Sequence, residues 1–298
     1  MVSSVLAPVQ ERGRAALERL GLPTRRQEAW RLTDLKRLAA VAALPPCSTS
    51  VRHALPAPSE GVLRLVLDGS QPSLEGQVWP QGFSLLNHAD LEQVLGQILD
   101  HCGCAEAWPV EFNHASSHQL LALRIRGKVP PLELVLSGGD GLVATRVILI
   151  LDEKADLDLL EVVLAEGGSA HSHVIEVHLG QEAELRHGFL ATADGQASLL
   201  AHLAVEQAPR SRYAFTSVVT GWSLGRIEPR VVQLEGQAET TLKGLAITSA
   251  EQQLATHTSV RFDGPEGEFD QLQKCLASGQ SHTIFNGAID VPRVAQRT

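Results

Sequence analysis

Two hydrophobic periods divide this chain. From Val9 to Leu20, apolar Val9, Ala16, Leu17 and Leu20 recur at helical spacing with Glu11, Arg12, Arg14 and Glu18 between them, and Gly21 followed by Pro23 ends the run. Thr33-Asp34 caps a second predicted helix that runs through Val41 and stops at Pro45-Pro46. The Pro/Ser/Thr stretch from Pro45 to Ser59 reads as a linker. From Val62 the period falls to two in VLRLVLDG, and NHADLEQVLGQILDH predicts one more helix, starting near Ala89. Beyond Leu120 almost everything is short alternating aliphatic runs punctuated by glycine, which predicts strands throughout. The final IFNGAIDVPRVAQRT reads as strand, Asn286-Gly287 turn, strand, with an open sheet edge behind it.

The strands repeat. Val177-His178, Val205-Glu206, Val232-Gln233 and Val260-Arg261 succeed one another in steps of 28, 27 and 28 residues. GFLAT at Gly188 and GLAIT at Gly244 stand two such periods apart, with Phe215 midway between His187 and Lys243. A unit made only of short strands and turns cannot bury its apolar face alone, so equal spacing means stacking. The expected fold is mainly β: a right-handed parallel β-helix with a coil of about 28 residues, preceded by a small helical or α+β N-terminal region. An antiparallel sandwich is the rival, and it gives no reason for a fixed step. The expected organisation is a helical region and linker over 1–60, a mixed α/β lead-in over 61–140 and the β-helix over 141–298.

Composition narrows the function. A formal net charge of -9 with pI near 5.7 excludes nucleic acid as the main partner, because phosphate binding needs clustered Lys and Arg. No signal-peptide pattern opens the chain and no apolar run reaches the roughly 20 residues that span a bilayer, so the expectation is a cytoplasmic protein with no membrane partner. Four irregularly spaced cysteines, Cys47, Cys102, Cys104 and Cys275, read as free thiols. Aromatics at 4% leave few platforms on which bases or sugars could stack.

Candidate chemistry is sparse. Gly139, Gly141 and Ala144 fit G-x-G-x-x-A, but VATRVILIL follows as a strand and offers no helix N-terminus to a pyrophosphate. No G-x-x-x-x-G-K-[ST] or G-x-S-x-G occurs. Asp156 and Asp158 share a strand face and suit a β-helix carbohydrate enzyme or Ca²⁺, against the plainer reading of a solvated face. His101, Cys102 and Cys104 are candidate metal ligands for a standalone carrier, although C-x-C with one His lacks the paired C-x-x-C of a structural zinc site. His171 and His173 lie on one strand face, expected to point outward, with His187 nearby. Cys275 reads as a small thiol packed inward. Residue types alone assign no catalytic residue, no cofactor and no metal.

Longer motifs carry a resemblance. LPTRRQEAWRLTDL, with Trp30, Thr33 and Leu35, resembles the opening motif of the SufB/SufD subunits of the SUF iron–sulfur cluster assembly machinery, the SufD branch above all; Leu32 replaces the usual Tyr. GGDGLVATRVILILDEKADLDLLE resembles that family's passage into its β-helix, and Ser211, Tyr213, Arg226, Gly236 and Gly244 fall on typical positions of its repeats. His257, Thr258, Gln271, Lys274, Phe285, Asn286, Gly287, Ala295, Gln296 and Thr298 match its late signature, while Phe262 and Phe269 stand where a His and a Ser are usual. The resemblance implies a non-catalytic scaffold pairing β-helix to β-helix with SufB, each of the two holding one SufC ATPase. The iron–sulfur cluster and ATP then belong to the complex through SufB and SufC, and this chain alone binds no cofactor. It also implies further coils, a Cys-x-His-Gly segment and C-terminal helices that grip SufC beyond Ala-Gln-x-Thr. The expectation is therefore a C-terminally truncated chain, prone to self-association at its cut end.

Overall fold

The computed structural model describes residues 2–47, 55–68 and 77–296, with side chains from residue 5 onward. Strands alternate between two sheets. The first holds β3 (Gln119–Ile125), β5 (Leu142–Leu151), β7 (Ala170–Leu179), β9 (Ser198–Gln207), β11 (Leu224–Gln233), β13 (Gln253–Phe262) and β15 (His282–Asp290). The second holds β1 (Leu63–Leu67), β4 (Leu132–Leu136), β6 (Asp156–Ala165), β8 (Glu184–Ala193), β10 (Arg212–Thr220), β12 (Glu239–Thr248) and β14 (Glu268–Ala277). Every pairing is parallel except that of the short β2 (Phe83–Leu85) with β3. The result is a parallel β-helix of about 6 turns, about 28 residues each. Its sheets begin ahead of residue 141, since β1, β3 and β4 already pair in them.

The coil length varies slightly, and that shifts part of the repeat. Val177 aligns with Val205, but Val205 aligns with Val231 and not with Val232, and Thr216 aligns with Lys243 and not with Gly244. A slip of one residue changes the face of a strand, so Val231 points to the core and Val232 away from it. Equal steps place the strands but not each side chain. One turn does recur strictly: Lys154, Glu182, Arg210, Gln237 and Glu266 all adopt left-handed φ between 56° and 61°, at intervals of 27 to 29 residues. Charged and amide residues hold this turn, where glycine would be the default.

Burial separates the two sheets. β5 and β9 are buried at every position, whereas β10 alternates buried and partly exposed residues. The second sheet faces water on its outer side and reads with period two; the first is covered on both sides and reads as a continuous apolar run. Its cover is helical: α1 (Val2–Leu20), α2 (Leu35–Ala42), α3 (His88–Val94), α4 (Gln97–His101) and α5 (Trp108–Ser116). Leu6, Ile98, Leu99 and Val110 pack on Ile148, Ile150, Val174 and Ala204. Trp30, Leu38, Val41, Trp108 and Phe112 pack on Leu142, Ala144, Leu200 and Leu224.

Several local expectations are corrected. α1 starts before Val9 and runs through Pro8, because buried Val5 and Leu6 anchor its first turns. Asp34 caps α2 as expected, its carboxylate accepting from the Lys36 and Arg37 amides. The helix predicted from near Ala89 through His101 is two helices, the first starting at His88, broken at Gly96, whose φ of 86° no right-handed helix accommodates. α5 is missing from the sequence reading because Trp108 through His114 are all buried, leaving no polar face to mark a helical period. In the expected linker, Pro46 bridges to Leu142 and Cys47 is buried; its Ser48–Ala54 part lies outside the described residues. Gly141 permits this approach: a Cβ there would lie 2.8 Å from the Pro45 oxygen, which is the role of a glycine that also fits a dinucleotide motif. Finally, β15 is a single strand, with Asn286 opposite His257 and Gly287 opposite Thr258. The parallel ladder to β13 overrides the local turn preference of Asn-Gly. After it, a 3-10 turn at Arg293–Ala295 folds Ala295 fully into the core.

Candidate functional site

The most concentrated polar chemistry lies inside the β-helix. Thr145, His173, Ala201, Ile227, Thr256 and Phe285 form one inward row of the first sheet. Glu161 on β6 reaches across from the second sheet: His173 Nε2 lies 3.0 Å from one of its oxygens and His187 Nε2 2.9 Å from the other. Thr145 Oγ1 is 2.8 Å from His173 Nδ1, and the Tyr213 hydroxyl 3.1 Å from His187 Nδ1. Glu161, His173 and His187 have no exposed side-chain surface. Each imidazole of this hydrogen-bonded chain thus bridges a hydroxyl at Nδ1 and one carboxylate oxygen at Nε2, and both Nε2–H groups donate to the single carboxylate. Burial alone would raise the Glu161 pKa and is the largest influence on it. The charge and hydrogen bonds of His173 and His187 together outweigh burial and bring it down to about 2.

This chain ties one sheet to the other across the core. Each imidazole takes its own carboxylate oxygen, and among the described residues no group of three or more His, Cys, Asp or Glu is arranged to hold a metal ion. It corrects the reading of His171 and His173 as outward: both are buried, and His173 and His187 meet at one carboxylate. The signal was available, because His173 and His187 alternate in phase with the core leucines of β7 and β8. What the sequence hid was Glu161, one coil strand earlier.

A second polar layer joins the helical cover to the outer face of the first sheet. His101 Nδ1 and His178 Nδ1 each lie 2.6 Å from an oxygen of Glu206. Cys102 Sγ donates to the Val205 oxygen at 3.4 Å, and Cys104 Sγ lies 3.1 Å from His202 Nε2. The expected ligand trio His101, Cys102 and Cys104 thus diverges to three partners on β9. Burial pushes the Cys104 thiol up to about 12, and the Cys102 thiol well above its usual value, so neither offers a thiolate at neutral pH. Cys275 aligns with core-facing Ala246 in the last described strand of its sheet and is exposed among the described residues. Ellman's reagent should therefore find one fast thiol per folded chain and four after denaturation; a second fast thiol would show that the α4–α5 layer opens readily.

Asp156 and Asp158 are not a free acid–base pair. Arg186 bonds both, at 2.6 Å from Asp156 and at closer approach to Asp158, and also takes Glu184 at 2.6 Å. Desolvation would raise the Asp156 carboxyl, but Arg186 and Lys128 hold it below its ordinary value. Held ionised by Arg186 and Lys128, Asp156 has no spare proton to deliver.

The positions of the longer motifs fall in three places. Trp30 and Thr33 are buried beside Leu35 of α2, and the Arg226 guanidinium lies 4.0 Å over the Trp30 ring. His257 is buried with its Nε2 3.2 Å from Arg226 Nη1; burial first, then Arg226, pull it down to about 4, so it is neutral at pH 7. Lys274, Phe285, Asn286 and Gly287 lie on the final strands β14 and β15, and Gln296 follows the last 3-10 turn. Thr298 lies outside the described residues. Phe285 and Ile289 face the core by register and are 45% and 60% exposed. Among the described residues no strand pairs with the far edges of β14 and β15.

Comparison with known proteins gives this arrangement a context. A family model described as "SUF system FeS cluster assembly, SufBD core domain" matches residues 134–298, from β4 onward. The iron-sulfur cluster assembly SufBD family protein slr0076 of Synechocystis is 24% identical over 334 residues, covering 99% of this chain and 71% of that protein. Protein ABCI7, chloroplastic, of Arabidopsis thaliana is 30% identical over 157 residues, covering 51% of this chain and 33% of that protein.

Proposed function

Because the chain belongs to the SufB/SufD family of SUF iron–sulfur cluster assembly proteins, we propose that it is a non-catalytic scaffold subunit of the SufD kind, pairing β-helix to β-helix with SufB. The observation that carries this reading is the family match over residues 134–298, which coincides with the coils of the parallel β-helix from β4 onward. The SufC ATPase completes the assembly and supplies the nucleotide chemistry, for which this chain carries no P-loop. The nascent iron–sulfur cluster is cargo of the complex. No helix among the described residues is long and apolar enough to cross a membrane, which suits work in a cytoplasmic or equivalent compartment.

Co-purification from cells expressing all three subunits tests the proposal. A stoichiometric complex with SufB and SufC is expected; a folded, full-length chain that retains neither would overturn it.

A further inference from the structure

A cleft of about 200 Å³ opens between the connector after α1, the start of α5 and strand β11. Its walls are Trp30 and Trp108, whose rings meet edge to face at 6.0 Å. Its floor is Arg226, Glu228 and Arg230, and Glu106 stands at its rim. The charges do not balance. Glu228 is one carboxylate between two guanidinium groups: it takes Arg226 Nε on one oxygen and Arg230 Nη2, at 2.8 Å, on the other. Glu106 is committed to Arg19 at 2.9 Å. Three arginines therefore face two carboxylates, in a protein whose net charge is -9.

The two floor arginines differ. Arg226 is 3% exposed and fixed by the Ala29 oxygen, by His257 and by the face of Trp30. Arg230 is 27% exposed, and among the described residues its only hydrogen bond is the one through Nη2 to Glu228. One hydrogen of Nη2 is taken, so a two-donor edge, formed by the other Nη2 hydrogen with Nε–H or with Nη1–H, remains for a ligand. The two histidines nearest the floor add no charge at neutral pH, since burial holds His202 and His257 down to about 4.

We propose that this cleft binds a small oxyanion, a carboxylate or phosphate group carried on a compact apolar body, with Arg230 as its bidentate partner and the two tryptophans as walls. Guanidinium donors match both oxyanions in geometry, and a partly dry, aromatic-walled site strengthens the pairing. None of the residues lining the cleft lies on β14 or β15.

Titration of tryptophan fluorescence and thermal stability with inorganic phosphate, benzoate and phenyl phosphate, at ionic strength held constant with KCl, tests it on the full chain. Saturable binding of at least one probe is expected, about tenfold weaker or more in Arg230→Gln. The benzoate and phenyl phosphate arms show which oxyanion is preferred, and inorganic phosphate shows whether the apolar body contributes. Arg186→Gln, on the opposite sheet, controls for loss of a surface charge and is expected to leave binding unchanged. Responses that never saturate, or that are equal in Arg230→Gln and the parent protein, would overturn the proposal.

Discussion

Glu161→Ala is expected to destabilise the β-helix by about 3–5 kcal/mol, the range for removing one partner of a buried charged pair. The substitution strands the fully buried Nε2–H donors of His173 and His187 and leaves a cavity between the sheets. Glu161→Gln should cost less, roughly 1–3 kcal/mol, because its amide keeps one acceptor but turns an NH2 group toward an imidazole donor. Urea unfolding followed by circular dichroism measures both. A loss below 1 kcal/mol for Glu161→Ala would mean that the chain does not hold the sheets together.

The same carboxylate sets a pH window. In the fold Glu161 titrates near 2, below its ordinary 4.5. A depressed carboxylate contributes fully above its unfolded value, so its share of stability is present above about 4.5 and is lost as the pH falls toward 2. Glu161→Gln should flatten the acid limb of the stability curve through this interval.

How much of this was legible in the sequence depends on which physical signal each feature left. The alternation beyond Leu120 and its near-constant step define a parallel stack, because stacked coils of similar length impose both. The exact register escaped in β11 and β12, where a coil shorter by a residue exchanges inward and outward faces. Helix α5 escaped because burial on all sides erases amphipathic contrast. The Asn286-Gly287 turn was a sound local reading that a long parallel ladder overruled. His173 and His187 could be placed on core-facing positions by phase alone. Their meeting at Glu161 could not, because residues on opposite sheets come together only when the coil closes. His101, Cys102 and Cys104 look like one cluster in sequence; the αL glycine between the cysteines, Gly103, helps turn them toward different partners.

Hydrogen–deuterium exchange of the full chain, alone and with SufB, tests the scaffold account most directly. The account predicts protection on complex formation concentrated on strands of the β-helix, with the helical cover α1–α5 unchanged. A complex that protects the helical cover and leaves every strand unchanged would contradict it.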